Sequence, residues 1–259
     1  QYYQRSMGEV ALGSLPPPLR DLDATQLARR LKRLAKPSPV GGAPGPTDAP
    51  RVLHDEQAAA LAGIQAADRP VLLFGATGSG KTEVYLQAAE AELTARPDAQ
   101  VLVLVPESLV NQWFVELLRR FNLAFAIYDE ERCESLEMTE PKANPFEDEQ
   151  CVIASVDWLA SHDKRARQAL EAGWDLLLVD EAHHLVWTPE FASPGYALVE
   201  ALSARTPGLL LLTATPEQLG LGGHFARLRL LDPARYTDLD AFRAETRGYL
   251  GLSALAGRL

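Results

Sequence analysis

A run of apolar residues that leads into a glycine-rich loop constrains this chain more than any other feature. Residues 71–74 (V-L-L-F) are typical of a strand buried on both faces, and residues 75–82 follow with the pattern G-x-x-x-x-G-K-T. A helical pattern then continues from Glu83 to about Ala95. This order of strand, loop and helix predicts a phosphate-binding loop. The alternative is a flexible Gly/Ser turn between a strand and a helix.

Such a loop binds a nucleotide through its backbone and two side chains. Its glycines let the backbone N–H groups turn towards a pyrophosphate, and the following helix adds the positive end of its dipole. Lys81 would reach the β- and γ-phosphates, and the Thr82 hydroxyl would bind Mg²⁺. The predicted nucleotide-binding residues of the loop are Gly75, Ala76, Thr77, Gly78, Ser79, Gly80, Lys81 and Thr82.

Further apolar runs alternate with helical patterns along the chain. We predict strands at residues 101–105, 124–128, 151–154, 176–179 and 208–212. Helical patterns separate them, so we expect an α/β fold with a doubly wound, mainly parallel sheet and helices on both faces. Beyond Pro216 the pattern weakens, and it favours a strand at residues 225–231 and a helix at residues 240–250.

The composition divides the chain into three parts. Residues 1–50 form an N-terminal fragment with a basic amphipathic helix at 23–36 and a Pro/Gly linker, residues 51–232 an ATP-binding lobe, and residues 233–259 a C-terminal tail. The basic helix is either a solvated surface helix or a contact for nucleic acid or a partner. Within the lobe, residues 129–150 carry nine Asp/Glu, which is typical of a mobile solvated loop.

Charge and hydropathy exclude several classes of protein. The net charge is −10, and residues 52–259 alone carry 17 basic and 31 acidic side chains, which argues against tight, unaided binding of nucleic acid. No apolar run approaches the ~18 residues of a membrane helix, and the N-terminus has no signal-peptide layout. Cys133 and Cys151 lie outside metal-type spacing. We therefore expect a cytoplasmic protein without a membrane partner.

A second motif supplies the groups that hydrolysis requires. Residues 176–179 (L-L-L-V) predict a buried strand, and Asp180 and Glu181 follow at its carboxyl end, where doubly wound sheets bind ligands. Asp180 would hold Mg²⁺ through water, and Glu181 would position and deprotonate the attacking water. The alternative is a pair of acids that cap a helix.

The motifs together resemble those of superfamily 2 helicases and translocases. Residues 180–183 (D-E-A-H) match the box of that superfamily, residues 213–215 (T-A-T) resemble its third motif, and Gln57 stands where it places an adenine-reading glutamine. The resemblance implies a P-loop NTPase with a RecA-like lobe that uses ATP and Mg²⁺ and acts on DNA. It assigns coupling of the ATP site to nucleic acid to His183, Thr213, Ala214 and Thr215. It assigns contacts with the nucleic-acid backbone to Pro106, Glu107, Ser108 and Ser155.

Two families within the superfamily share motifs with different parts of the chain. Residues 2–88 look like the bacterial primosomal replication-restart helicase, with L-P-P-P-L-R and G-A-T-G-S-G-K-T-E-V-Y-L. Residues 101–242 are similar to the Swi2/Snf2-type ATPase associated with bacterial RNA polymerase, with V-P-E-S-L-V-N-Q-W and D-L-L-L-V-D-E-A-H-H-L-V-W. Replication restart and RNA polymerase recycling therefore both stay open, and the implied partners are replication-restart proteins or RNA polymerase.

The resemblance also implies a second RecA-like lobe, which carries the arginine finger. About 44 residues follow Thr215, whereas a lobe needs ~150. We therefore expect this chain to be the first motor lobe, which binds ATP and Mg²⁺ but hydrolyses ATP slowly by itself and binds DNA weakly. The alternative is a nucleotide-dependent binding module that docks RNA polymerase or another partner without turnover. A P-loop kinase or transporter ATPase would leave the third motif unexplained.

Overall fold

The computed structural model describes Ala28 and residues 52–66, 80–96, 98–213 and 220–256. The predicted strand at 71–74, the loop at 75–79, Ala214 and Thr215 lie outside these residues. So do the linker and, apart from Ala28, the predicted basic helix. For Lys81 and Thr82 the description covers the backbone alone.

A parallel sheet forms the centre of the described structure. Its strands, in sheet order, are β2 (Ala126–Tyr128), β3 (Cys151–Ser155), β1 (Val101–Val105), β4 (Leu176–Val179) and β7 (Gly208–Leu211). All four pairings between neighbours are parallel. A small antiparallel hairpin of β5 (Trp187–Thr188) and β6 (Phe191–Ala192) lies apart from this sheet. The prediction of a doubly wound parallel sheet is confirmed.

Nine α-helices lie within the described residues. They are α1 (Asp55–Ala66), α2 (Lys81–Ala95), α3 (Val110–Phe121), α4 (Glu130–Thr139), α5 (Val156–Ser161), α6 (Asp163–Glu171), α7 (Pro194–Ser203), α8 (Gly220–Leu231) and α9 (Leu239–Ala256). Three single 3₁₀ turns, at Glu107–Leu109, Pro145–Glu147 and Ala182–His184, accompany them. The helix expected at residues 240–250 is therefore present within α9.

Alternate residues of the strands form two apolar cores, one on each face of the sheet. Val103 and Ile153 point to the face covered by α2 and α3, where Leu86, Leu93 and Leu117 pack. The other face carries a larger core, formed by these strand residues and the aromatic side chains around them: Leu102, Leu104, Val152, Leu177, Tyr128, Phe146, Trp174 and Tyr196. Strands that are apolar on both sides require this double cover.

The acidic segment at residues 129–150 is not a solvated loop, contrary to the expectation. Asp129 caps α4 by accepting a hydrogen bond from the Arg132 backbone N–H at 2.9 Å. Cys133 and Phe146 are fully buried. The acids of α4 have a buried cationic partner, because the guanidinium of Arg165 on α6 pairs with carboxylates of this helix. The segment is therefore an ordered part of the lobe.

Residues 225–231 are also different from the prediction, since they belong to helix α8 rather than to a strand. Taken alone, the alternation of Arg227 and Arg229 with apolar residues favours a strand. In the helix, Phe225, Ala226 and Leu230 are buried, and Arg227 is only 4% exposed. Packing of α8 against the hairpin and α7 decides the conformation here.

Candidate functional site

The carboxyl ends of four parallel strands bring the predicted site residues to one edge of the sheet. The strand register pairs Val105 with Ser155 and Leu104 with Val179. Directly after β4, the Asp180 backbone N–H donates to Leu104 O at 2.9 Å, and the Ala182 backbone N–H donates to Leu212 O at 2.8 Å. The acidic motif therefore lies between the ends of β1 and β7, as doubly wound sheets require for a ligand site.

Two donors hold the carboxylate of Asp180. Its Oδ1 accepts a hydrogen bond from the Glu181 backbone N–H at 2.8 Å, and its Oδ2 accepts one from the Trp113 indole Nε1–H at 2.7 Å. Burial raises the pKa of Asp180, and these two hydrogen bonds act in the opposite direction. The bonds stabilise the charged carboxylate, which is the form that binds a divalent cation.

Glu181 has an unusual backbone conformation next to this carboxylate. Its φ of 49° and ψ of 42° lie in the left-handed region, which few residues other than glycine adopt. Such strain is concentrated at functional sites, where the surrounding fold maintains it. The 3₁₀ turn Ala182–His184 follows, and it directs His183 back towards the Glu181 side chain.

His183 connects the acidic motif to the end of β7. Its Nδ1 lies 3.0 Å from Glu181 Oε2, which is within ion-pair distance, and 3.5 Å from Thr213 Oγ1, which is at the outer limit of a hydrogen bond. Burial, and after it the neighbouring His184, lower the pKa of His183 against the opposing effect of Glu181, which favours the neutral imidazole. The two histidine ring centroids are 4.1 Å apart.

The last glycine of the phosphate-loop motif lies beside Gln57. Gly80 has a φ of 74°, which favours glycine, and a Cβ placed on it would lie 2.4 Å from Gln57 Nε2. Gln57 Oε1 accepts a hydrogen bond from the His54 backbone N–H at 2.9 Å. Helix α2 begins at Lys81, as the motif predicts. The glutamine and the end of the loop are therefore neighbours in the fold.

Helix α3 connects the start of α2 with the acidic motif, and the sequence predicted no such role for its residues, although Trp113 ends the quoted motif V-P-E-S-L-V-N-Q-W. Near its carboxyl end, Arg120 forms an ion pair with Glu83, the residue directly after Thr82. Near its amino end, Trp113 bonds to Asp180. Both halves of the candidate site therefore contact one helix.

The predicted nucleic-acid contacts differ in their exposure. Pro106 follows β1, and Glu107 and Ser108 are exposed in the 3₁₀ turn that precedes α3. Ser155 is 2% exposed, and its Oγ accepts a hydrogen bond from the Trp158 backbone N–H at 3.3 Å, which caps α5. The Ser155 hydroxyl is therefore part of the buried cap of α5, and its contact with nucleic acid stays a prediction.

The part of the chain that the structure describes contains no metal cluster of its own, no membrane-spanning helix and no reactive cysteine. No group of three His, Cys, Asp or Glu side chains there is arranged to hold a metal by itself. No helix among these residues is long and apolar enough to cross a bilayer. Cys133 and Cys151 are buried free thiols, and burial raises the pKa of each to about 12, so they are poor nucleophiles.

Comparison with known proteins identifies the family of this lobe. Residues 51–218 match the family model described as type III restriction enzyme, res subunit (ResIII). RNA polymerase-associated proteins RapA are close in sequence. That of Actinobacillus succinogenes is 53% identical over 181 residues, and that of Actinobacillus pleuropneumoniae is 48% identical over 217 residues. These alignments cover 69% and 82% of this chain, but only 19% and 22% of the relatives' length.

Two solved structures share the fold. The Sulfolobus solfataricus SWI2/SNF2 ATPase core, solved in complex with double-stranded DNA, has a TM-score of 0.58 at 20% identity, over 78% of this chain and 40% of that one. The Pyrococcus furiosus Hef helicase domain has a TM-score of 0.52 at 21% identity, over 70% and 36% of the two chains. The resemblance to a superfamily 2 RecA-like lobe with an RNA-polymerase-associated Swi2/Snf2-type segment is confirmed. The primosomal resemblance of residues 2–88 stays a prediction.

Proposed function

The chain belongs to the ResIII family of superfamily 2 helicase-type ATPase lobes, and from this premise we propose that it is the ATP-binding motor lobe of a DNA-dependent translocase or helicase. One observation carries the proposal. Asp180 and Glu181 lie at the ligand-binding edge of a parallel sheet, and helix α3 joins them to the start of the phosphate-loop helix. An acidic pair that only capped a helix would not require these connections.

The residues present fit a magnesium nucleotide. Mg²⁺ prefers oxygen ligands and is commonly bound by one or two carboxylates together with phosphate oxygens. The Asp180 carboxylate, held by two donors, matches that requirement, and the hydroxyl of Thr82 would be the second protein ligand. Mg²⁺, when bound, neutralises charge that develops on the transferred phosphoryl group. Lys81 and the loop at residues 75–80 would hold the phosphates.

Glu181 would orient the attacking water and accept its proton. The left-handed backbone directs its side chain to His183, whose neutral imidazole lies within hydrogen-bonding distance of the carboxylate. In this proposal His183 and Thr213, with Ala214 and Thr215, connect the ATP site to bound nucleic acid. Gln57 would read the adenine base from its position beside Gly80.

Substrates and partners also belong to the proposal, because the chain spans about a fifth of the length of the relatives named above. The relatives' name favours RNA polymerase as a partner and a bacterial cytoplasmic location, while replication restart rests on the resemblance of residues 2–88. We propose that the chain consists of an N-terminal fragment (1–50), a lobe (51–232) and a tail (233–259). In this proposal a second RecA-like lobe is the partner of the lobe at residues 51–232.

A second candidate function is a nucleotide-dependent binding module that docks RNA polymerase without turnover. The acidic charge of residues 52–259, with 31 acidic and 17 basic side chains, favours it, because such a body repels DNA. Polymerase contacts would then depend on bound ATP rather than on hydrolysis.

Two measurements test the proposed function. Titration of a fluorescent ATP analogue should show Mg²⁺-dependent binding, and the absence of binding would refute both candidates. Phosphate release by these 259 residues should be well below about 1 s⁻¹ with little stimulation by DNA, because the proposal places the arginine finger, which contributes ~10³–10⁵ in rate, on a second RecA-like lobe. Turnover at about 1 s⁻¹ or above would contradict this. ATP-dependent capture of RNA polymerase without stimulated hydrolysis would favour the binding module.

A further inference from the structure

Trp113 ends the motif V-P-E-S-L-V-N-Q-W, and its hydrogen bond to Asp180 is a feature of the candidate site to which the sequence assigned no role. The indole Nε1–H donates to Asp180 Oδ2 at 2.7 Å, which is short for an N–H···O bond and typical of one to a charged acceptor. Trp113 is 7% exposed, so its donor is shielded from water. The two residues are 67 positions apart in the chain.

This bond restricts the orientation of the carboxylate. The Glu181 backbone N–H already holds Oδ1 at 2.8 Å, and the indole holds Oδ2. With one donor on each oxygen, rotation of the carboxylate about its terminal bond would break at least one bond. The remaining lone pairs on both oxygens keep fixed directions and can accept a metal-bound water or a cation.

The indole is itself held firmly. Trp113 lies in the first turn of α3, whose residues Val110, Leu117 and Phe121 are buried against the sheet. At the other end of α3, Arg120 pairs with Glu83 beside the predicted Mg²⁺ ligand Thr82. The donor is therefore fixed relative to both the sheet and the start of α2.

We propose that Trp113 is a positioning residue whose indole N–H orients Asp180 to receive the magnesium nucleotide. This inference rests on the proposed function, because it assigns Trp113 to the same site. Groups that bond to metal-binding carboxylates without touching the metal commonly contribute 10- to 100-fold to metal affinity. The indole N–H of Trp113 is a neutral donor, so it orients the Asp180 carboxylate without neutralising the negative charge that attracts Mg²⁺.

The test compares two Trp→Phe substitutions in the full 259-residue chain. Trp113→Phe removes the donor and keeps a ring in the core. Trp174→Phe is the matched control, because Trp174 is 4% exposed and its Nε1–H donates to Ala169 O at 2.8 Å on the other face of the sheet. The affinity for a fluorescent ATP analogue is measured for each variant with Mg²⁺ and with EDTA.

We expect Trp113→Phe to reduce affinity in Mg²⁺ by about tenfold or more and to leave affinity in EDTA unchanged. Trp174→Phe should retain the wild-type ratio between the two conditions. An unchanged ratio in Trp113→Phe overturns the proposal, and so does an equal loss in Mg²⁺ and EDTA, which would indicate packing alone. If the wild-type chain binds no nucleotide in either condition, the proposed function fails instead.

A second measurement avoids dependence on the folding of Trp113→Phe. Protein labelled with ¹⁵N at its four tryptophans gives one indole N–H signal each, and Phe substitutions at Trp158, Trp174 and Trp187 assign the fourth by elimination. The Trp113 signal should shift when Mg²⁺ and ATP are added together, and the shift should be absent with ATP and EDTA. A Trp113 signal that does not respond to Mg²⁺ overturns the proposal.

Discussion

Replacement of Arg165 by methionine should destabilise the lobe far more than the same replacement of Lys164, its neighbour in sequence. Arg165 lies on α6 with 2% of its side chain exposed. Its Nη1 bonds to Glu137 Oε1 at 2.7 Å and its Nε bonds to Glu130 Oε1 at 3.0 Å, both on α4. The substitution keeps most of the apolar volume but leaves two carboxylates without their shared cation.

The loss of stability in Arg165→Met depends on how exposed its two partners, Glu130 and Glu137, are to water. Removal of one member of a buried ion pair costs about 3–5 kcal/mol. Glu130 is 39% exposed and Glu137 is 19% exposed, so water can solvate part of the released charge. We therefore expect a loss of about 2–3 kcal/mol in the free energy of unfolding, or roughly 4–12 °C in Tm for a chain of this size.

Lys164→Met is the matched control. Lys164 also pairs with Glu137, at 2.7 Å, but 61% of its side chain is exposed. An exposed pair contributes less than about 1 kcal/mol, so this variant should stay close to the wild type. Urea denaturation followed by circular dichroism measures both variants. Equal midpoints for Arg165→Met and Lys164→Met would refute the reasoning.

The pH dependence gives an independent check through Glu137. Burial alone would raise the pKa of this carboxyl, but hydrogen bonds from Lys164, Gln168 and Arg165 lower it to about 2. A pKa below the unfolded value stabilises the fold above that value, and the effect is lost as pH falls. The stability difference between wild type and Glu137→Gln should therefore narrow as pH falls from about 5 towards 2. A constant difference would contradict this assignment.

Two further predictions concern the nucleotide site. Lys81→Ala should abolish binding of a fluorescent ATP analogue, because it removes the cation that the loop places at the β- and γ-phosphates; unchanged affinity would contradict the phosphate-loop assignment. Glu181→Gln should retain nucleotide affinity and lose phosphate release, because the amide can orient water but cannot accept its proton. Release within a few fold of the wild type would place the base on another residue.

The pattern of apolar residues within short segments was sufficient to predict the parallel sheet and the position of the acidic motif, Asp180 and Glu181. Residues 101–105 and 176–179 are apolar at every position, which is typical of strands at the centre of a parallel sheet with helices on both faces. Carboxyl ends of parallel strands share one edge, so Asp180 and Glu181 had to lie there. This inference needed no knowledge of how distant segments pack.

Prediction from short segments was wrong where the conformation of a segment depends on contacts with residues distant in the chain. Nine acids at residues 129–150 favour a solvated loop when they are counted alone. The Arg165 guanidinium, 35 positions from Glu130, makes an ordered helix favourable instead. Residues 225–231 alternate like a strand, but α8 buries its Ala226 and Leu230, which are four residues apart and share one face of a helix.

The sequence by itself therefore determined the parallel sheet, the edge that carries the site and the chemical type of the residues there. Tertiary structure alone decided that Trp113 orients Asp180, that Arg120 reaches Glu83 and that Glu181 adopts a left-handed backbone. The reason is physical. Strand and helix patterns depend on neighbours within a few residues, whereas these contacts depend on the distance and angle at which α3 packs against the sheet, which the whole core sets.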